Sequence, residues 1–135
     1  MGTALKFVKL KSINQIPRYL LEQVKPREFD IDAVYLWGPT LIQNPLNLFG
    51  AFVDKNQTVK GTMWVSYSPM SNEVRVHVLS IDKEYFGRGI LREAHGIVQK
   101  LRRQLGAAKI SLVTTRPRSF EKFGFVRAKT IVMEK

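Results

Sequence analysis

Two hydrophobic rhythms alternate along this chain. In Val74-Arg75-Val76-His77-Val78-Leu79-Ser80-Ile81, β-branched and apolar residues fall at roughly every second position, which predicts a half-buried strand. Past Asp82-Lys83-Glu84-Tyr85-Phe86-Gly87-Arg88-Gly89-Ile90 the period changes. Ala94, Ile97, Val98, Leu101 and Leu105 recur at helical spacing, with Arg92, Gln99, Arg102 and Arg103 on much of the opposite face. A long amphipathic helix with one buried stripe is predicted. Gly106 suits its C-cap, and Ala108-Lys109-Ile110-Ser111-Leu112-Val113 reads as a further strand. Strand, helix, strand implies a right-handed crossover and two parallel neighbouring strands.

Upstream, Leu5-Lys6-Phe7-Val8-Lys9-Leu10-Lys11 partly alternates and predicts a first strand. Ser12-Ile13-Asn14-Gln15 has capping-box spacing and Pro17 suits a first helical turn, so a helix through Tyr19, Leu20 and Val24 is expected, ended by Lys25-Pro26. Between residues 27 and 45, Gly38-Pro39 and Asn44-Pro45 punctuate the pattern. Val34-Tyr35-Leu36-Trp37 fits a helix or a strand, and a second short helix is expected. Residues 48–53 and 59–67 read as strands joined across Asp54-Lys55-Asn56-Gln57, and Pro69-Met70-Ser71-Asn72 turns into the strand at Val74, which makes an antiparallel meander. A short helix near residues 117–123 and a last strand over residues 126–133 complete the pattern. Nothing reads as a repeat or linker, so one domain over residues 1–135 is expected.

Composition narrows the chemistry. With no cysteine, thiolate nucleophiles and cysteine-held zinc are excluded, and secretion on a disulfide framework is disfavoured. No apolar run approaches a membrane span, so no membrane partner and a soluble cytoplasmic protein, monomeric or homodimeric, are expected. Two histidines without matched carboxylate spacing make no metal site, and no nucleophile elbow supports a hydrolytic triad. His95 reads as a packing or capping residue, Trp37 and Trp64 as core. The 22 Lys and Arg against 11 Asp and Glu leave +11, unevenly: residues 1–74 carry 8 basic and 6 acidic side chains, residues 75–135 carry 14 and 5. That excess suits either a solvated surface or a polyanionic partner, a nucleic acid or an acidic protein face.

The basic half also holds the glycine turn. At the start of a helix the amides of Gly87, Arg88, Gly89, Ile90 and Leu91 have no intrahelical acceptor, and the helix dipole adds partial positive charge there. Such a turn is a seat for a phosphate group.

The order of elements resembles the GNAT-type acetyltransferase superfamily over nearly the full length. Residues 79–90 look like that family's end of strand four and its pyrophosphate loop; Gly106-Ala107-Ala108-Lys109-Ile110-Ser111-Leu112 looks like its entry to strand five; Phe120-Glu121-Lys122-Phe123-Gly124-Phe125 resembles its penultimate motif. The resemblance implies an α/β single-domain mixed sheet, with parallel strands four and five splayed and helices flanking. Departures exist. The loop signature falls on Phe86, Gly89 and Leu91 with only the glycine kept, and Phe120 stands where a tyrosine is usual. A dinucleotide fold is a poor rival, since Arg92 replaces the third glycine.

By that resemblance, acetyl-CoA is the expected cofactor and an amine of a small molecule or protein the acceptor. Val78, Leu79, Ser80 and Ile81 would pair with the pantetheine arm. Phe86, Gly87, Arg88, Gly89, Ile90, Leu91 and Arg92 would hold the phosphates, with both arginines as charge partners. Arg75 and His77 hold the positions where the family often carries a carboxylate base, and only the histidine can accept a proton near neutrality. The bland alternative is a strand histidine bonded to a neighbour. For the acid, Tyr85, Tyr67 or a bound water remain. The rival function is a protein that keeps the fold without the chemistry and binds a nucleic acid or an acidic protein.

Overall fold

The computed structural model describes residues 5–24, 30–112, 118–128 and 133. Five strands form one sheet in chain order: β1 (Lys6–Lys9), β2 (Asn47–Val53), β3 (Val59–Ser68), β4 (Glu73–Ile81) and β5 (Lys109–Leu112). The first four are antiparallel to their neighbours and β5 runs parallel to β4, so both the meander and the crossover are present. Helices α1 (Arg18–Glu22), α2 (Ile31–Leu36), α3 (Gly38–Gln43), α4 (Ile90–Leu105) and α5 (Arg118–Glu121) complete an α/β fold around that single sheet.

The sheet separates two cores. On one face Leu20 and Leu21 of α1 and Val34 of α2 pack with Phe49, Ala51 and Val78. On the other, Ile90, Ala94 and Val98 of α4 pack with Phe52, Met63, Val65 and Val74. Of the stripe read from the sequence, Ala94 and Val98 are buried and Ile97 and Leu101 partly so, whereas Leu105, in the last turn, is 43% exposed. The end of α4 also matches: Gly106 takes a left-handed C-cap at φ 66, and the last-turn arginines Arg102 and Arg103 sit where the dipole favours cations.

The amino-terminal third departs from expectation. The Ser12 capping box forms, but it closes a separate 3₁₀ turn, Ile13–Gln15. Ile16, forced to extended backbone by the following proline, interrupts the path, and Pro17 is the N-cap of α1. Two short helices stand where one was expected, with Trp37 closing α2 and opening α3. The corner is tight because Gly38 abuts Ile13, and a Cβ there would lie 2.9 Å from its side-chain carbons. Trp64 stacks on Phe49 in the core as expected, whereas Trp37 is 59% exposed, which corrects its reading as a core residue.

At the carboxyl end, α5 spans fewer residues than expected, and Val126, Arg127 and Ala128 are not in a strand. The rest of that expected strand, except Met133, lies outside the described residues, as do Lys25-Pro26 and Pro117. No helix among the described residues is long and apolar enough to cross a membrane.

Candidate active site

The site begins with a break in the strand register. β3 and β4 pair through Trp64↔Val78 and then Val65↔Val76, which leaves His77 as an extra residue, a β-bulge. One additional residue reverses the alternation. Val74 and Val76 face the α4 core, as do Leu79 and Ile81, while Val78 packs into the opposite core with α1. His77 turns to that opposite face, its ring 4.6 Å from Trp64 and its Nε2 2.6 Å from Ser66 Oγ. It is half-buried, and desolvation, followed by the nearby Arg75 cation, lowers its pKa below the ordinary value. A neutral imidazole with one nitrogen on a hydroxyl is the outcome.

Arg75 lies on the same face as a half-exposed side chain. Its Nε and Nη2 both donate to Glu73 Oε1, at 3.1 and 2.9 Å. Glu73 is buried, and hydroxyl donation from Ser71 at 2.6 Å and from Ser111, reinforced by Arg75, holds its carboxyl at about 2. Ser66 and Glu73 were missed in the sequence, because their roles depend on strand register and on the bulge, neither of which leaves a local signal.

The second half of β4 extends past the described part of β5. Asp82 N–H donates to Lys60 O at 2.7 Å, which fixes the phase of the antiparallel ladder. By that phase Val78 and Ser80 exchange bonds with β3, and the peptide groups of Leu79 and Ile81 point towards the β5 side. The β4–β5 register itself runs from Glu73↔Lys109 to Val76↔Leu112. Of the four residues expected to line an arm, then, Leu79 and Ile81 offer backbone there and Val78 and Ser80 face the α1 core. Gln23, just past α1, donates through Nε2 to Ser80 Oγ at 2.9 Å and to Ile81 O at 3.0 Å. Tyr19 OH donates to Asp82 Oδ2 at 2.6 Å, so α1 is tied to the end of the strand.

A 3₁₀ turn, Lys83–Tyr85, leads from β4 into the glycine loop. Gly87 and Gly89 have φ of 77 and 82, left-handed backbone that only glycine adopts cheaply, and a Cβ at either would meet nothing within 4 Å. The loop is an open, amide-lined mouth. Glu93 N–H makes the first helical bond, to Gly89 O at 3.1 Å, so the amides of Gly89, Ile90, Leu91 and Arg92 precede the helical ladder. Arg88 differs from expectation, since its N–H donates to Tyr85 O at 3.3 Å. The two departures in the loop do not fill it: Phe86 is 54% exposed, and Leu91 lines an apolar cavity inside the molecule.

That cavity lies between α4, the sheet and α5, with Val76, Leu79, Leu112, Phe120 and Phe125 in its wall. His95 belongs to it, stacked on Phe123 at 4.6 Å, which is the packing role expected. Tyr85 packs into the α4-side core with Arg88 5.1 Å above its ring, so the sheet lies between it and His77. The two expected catalytic side chains are not brought together. Among the described residues no cluster of His, Cys, Asp or Glu could hold a metal ion.

No protein-family profile and no curated protein matches this sequence. Solved acetyltransferase structures do match its fold. The aminoglycoside N-acetyltransferase AAC(6')-Iy, bound to a CoA bisubstrate analogue, superposes with a TM-score of 0.78 at 14% identity over 98% of each chain. A Trypanosoma brucei acetyltransferase gives 0.76 at 13% identity over 97% of this chain and 99% of that one. Glucosamine-6-phosphate N-acetyltransferase from Arabidopsis thaliana gives 0.70 at 17% over 98% of both. The chain has the GNAT-type acetyltransferase fold.

Proposed function

We propose that this protein is an N-acetyltransferase that moves an acetyl group from acetyl-CoA to an amine. The observation that carries the reading is a continuous path on β4: an open glycine mouth, then the Leu79 and Ile81 peptide groups facing the β5 side, then the bulged His77. About 13 Å of strand separates Ile81 from His77, at ~3.3 Å per residue. Residues suited to an extended cofactor thus lie in the right order, and the mouth has both the space and the donors for a diphosphate.

Acetyl-CoA, when bound, supplies the activated acyl group. The amides of Gly89, Ile90, Leu91 and Arg92, with the Arg88 and Arg92 side chains, would hold its phosphates; Leu79 and Ile81 would pair with its arm. Gly87 keeps the turn open, Phe86 rims it, and Val78 and Ser80 fix the strand from the α1 side. His77 accepts the ammonium proton of the acceptor, since burial and Arg75 keep its ring neutral near pH 7. Tyr85 belongs to the phosphate end, where its ring supports Arg88. No side chain among the described residues is assigned as the acid.

Isothermal titration with acetyl-CoA and with free CoA tests this directly. Micromolar to sub-millimolar binding that Gly89→Val weakens is expected, and no binding of either at millimolar concentration ends the proposal. The second reading, a binding module for nucleic acid or an acidic protein, rests on the positive excess of residues 75–135. It requires association with RNA or DNA that falls steeply with salt.

A further inference from the structure

We infer that the acceptor is an amine that also carries an oxyanion, a carboxylate or a phosphate, and that Arg75, with Lys109, binds that group. This rests on the proposed acetyl transfer and adds the chemical class of its acceptor.

The argument starts from the register. β4 and β5 pair Glu73↔Lys109 and Arg75↔Ser111, so these side chains share a sheet face, the one on which the bulge places His77. Two cations, Arg75 and Lys109, are exposed on it. At this end of the face the acid, Glu73, is 6% exposed, while Asp82, at the far end of β4, is held by Tyr19 of α1. No ion pair among the described residues involves Lys109. The face that would meet an acceptor is therefore positive at its surface, which disfavours a polycationic amine and favours an anionic one.

Arg75 is also prepared for the task. A guanidinium has five N–H donors, and here Nε and Nη2 spend one each on the same oxygen of Glu73. The remaining donors project from a side chain that is 50% exposed. The carboxylate beneath is itself fixed by the Ser71 and Ser111 hydroxyls, so the fork is oriented before any ligand arrives. A surface arginine paired to a surface glutamate would hold the sheet edge equally well, whereas a buried carboxylate under a half-exposed guanidinium aims the cation outward. Arg75 and His77 are two residues apart, roughly 7 Å along a strand. An amine at His77 with its anion at Arg75 is thus a compact molecule, with a few bonds between the two groups.

The test uses matched pairs of acceptors: O-phosphoethanolamine against ethanolamine, and β-alanine against propylamine. The anionic member should have a KM lower by about tenfold or more, as one charge-assisted fork contact would give. The pair with the larger ratio tells phosphate from carboxylate. In Arg75→Gln that ratio should fall towards one, with the change in KM and not in kcat. Because Arg75→Gln leaves Glu73 with hydroxyl donors only, the double variant Glu73→Gln/Arg75→Gln is measured beside it, with melting temperature as the check on folding. Acetyl transfer with equal KM for both members of each pair overturns the inference and leaves the transferase standing. Independently of turnover, O-phosphoethanolamine should shift the backbone amide resonances of Arg75, His77 and Ser111, and Arg75→Gln should abolish the shift. Shifts without any acetyl transfer support the anion site and remove the transferase reading; no shift at tens of millimolar overturns the site.

Discussion

The two halves of β4 obey different rules. From Glu73 to Val76 the strand has β3 on one side and β5 on the other, and its buried carboxylate, Glu73, is satisfied by Ser71, Ser111 and Arg75. From Val78 to Ile81 it keeps β3, the β5 pairing among the described residues reaches only as far as Val76↔Leu112, and Gln23, just past α1, reaches Ile81 O. The bulge at His77 is the joint between them. A strand paired on both sides has no backbone to offer, because buried N–H and C=O groups are satisfied almost without exception. In the second half the peptide groups of Leu79 and Ile81 point away from β3, to the side where β5 is described only as far as Leu112. Under the proposed transfer the first half is scaffold, and the second half, with the loop it feeds, takes the extended cofactor.

The sharpest way to break this division is at the joint. His77→Ala should reduce acetyl transfer by about 10²–10⁴-fold, the usual worth of a general base, while CoA affinity measured by titration stays put. Full activity in that variant would remove the histidine from the chemistry. The pH profile follows from the same ring: kcat/KM should rise as His77 loses its proton, with a midpoint below the ordinary histidine pKa of about 6.5, because burial lowers the value.

Next in size is the loop. Gly89→Val puts a β-branched residue at φ 82, a conformation that costs roughly 1–2 kcal/mol for an L-residue, and CoA affinity should fall by about tenfold. Circular dichroism should still report α4; loss of the helix would mean that the glycine serves folding instead of binding.

The first half is tested by acid. Glu73 titrates at about 2 in the fold against 4.5 in an unfolded chain. Its contribution to stability is complete above pH 4.5 and is lost as pH falls towards 2, since the unfolded chain takes up the proton first. Glu73→Gln should flatten the pH dependence of the unfolding midpoint in that window, and an unchanged slope would show that the carboxylate is not held as described. The smallest effect belongs to Gln23→Ala, which removes one tie to the end of β4 and leaves that of Tyr19 to Asp82: about 1 kcal/mol by denaturant unfolding, with a few-fold rise in the KM for acetyl-CoA.

Much of this was open to reading along the chain. The meander, the crossover helix and the glycine turn are local patterns, and hydrophobic periodicity reports them because each element buries one face. The short helices between residues 30 and 43 were half-legible: Val34-Tyr35-Leu36-Trp37 suits either period, and the contact of Gly38 with Ile13 decides it. Ser66 beside His77, and Glu73 beneath Arg75, were not legible at all.

By itself the sequence determined the order of elements from β2 to β5, the amphipathic face of α4 and the glycine turn that opens it, since period, caps and φ preference act within a few residues of each other. Only the tertiary structure decided that His77 is an extra residue turned towards Ser66 and Trp64, and that Leu91 points inward and leaves the mouth open. Those outcomes depend on the register between strands distant in sequence, and a slip of one residue there moves every side chain to the other face.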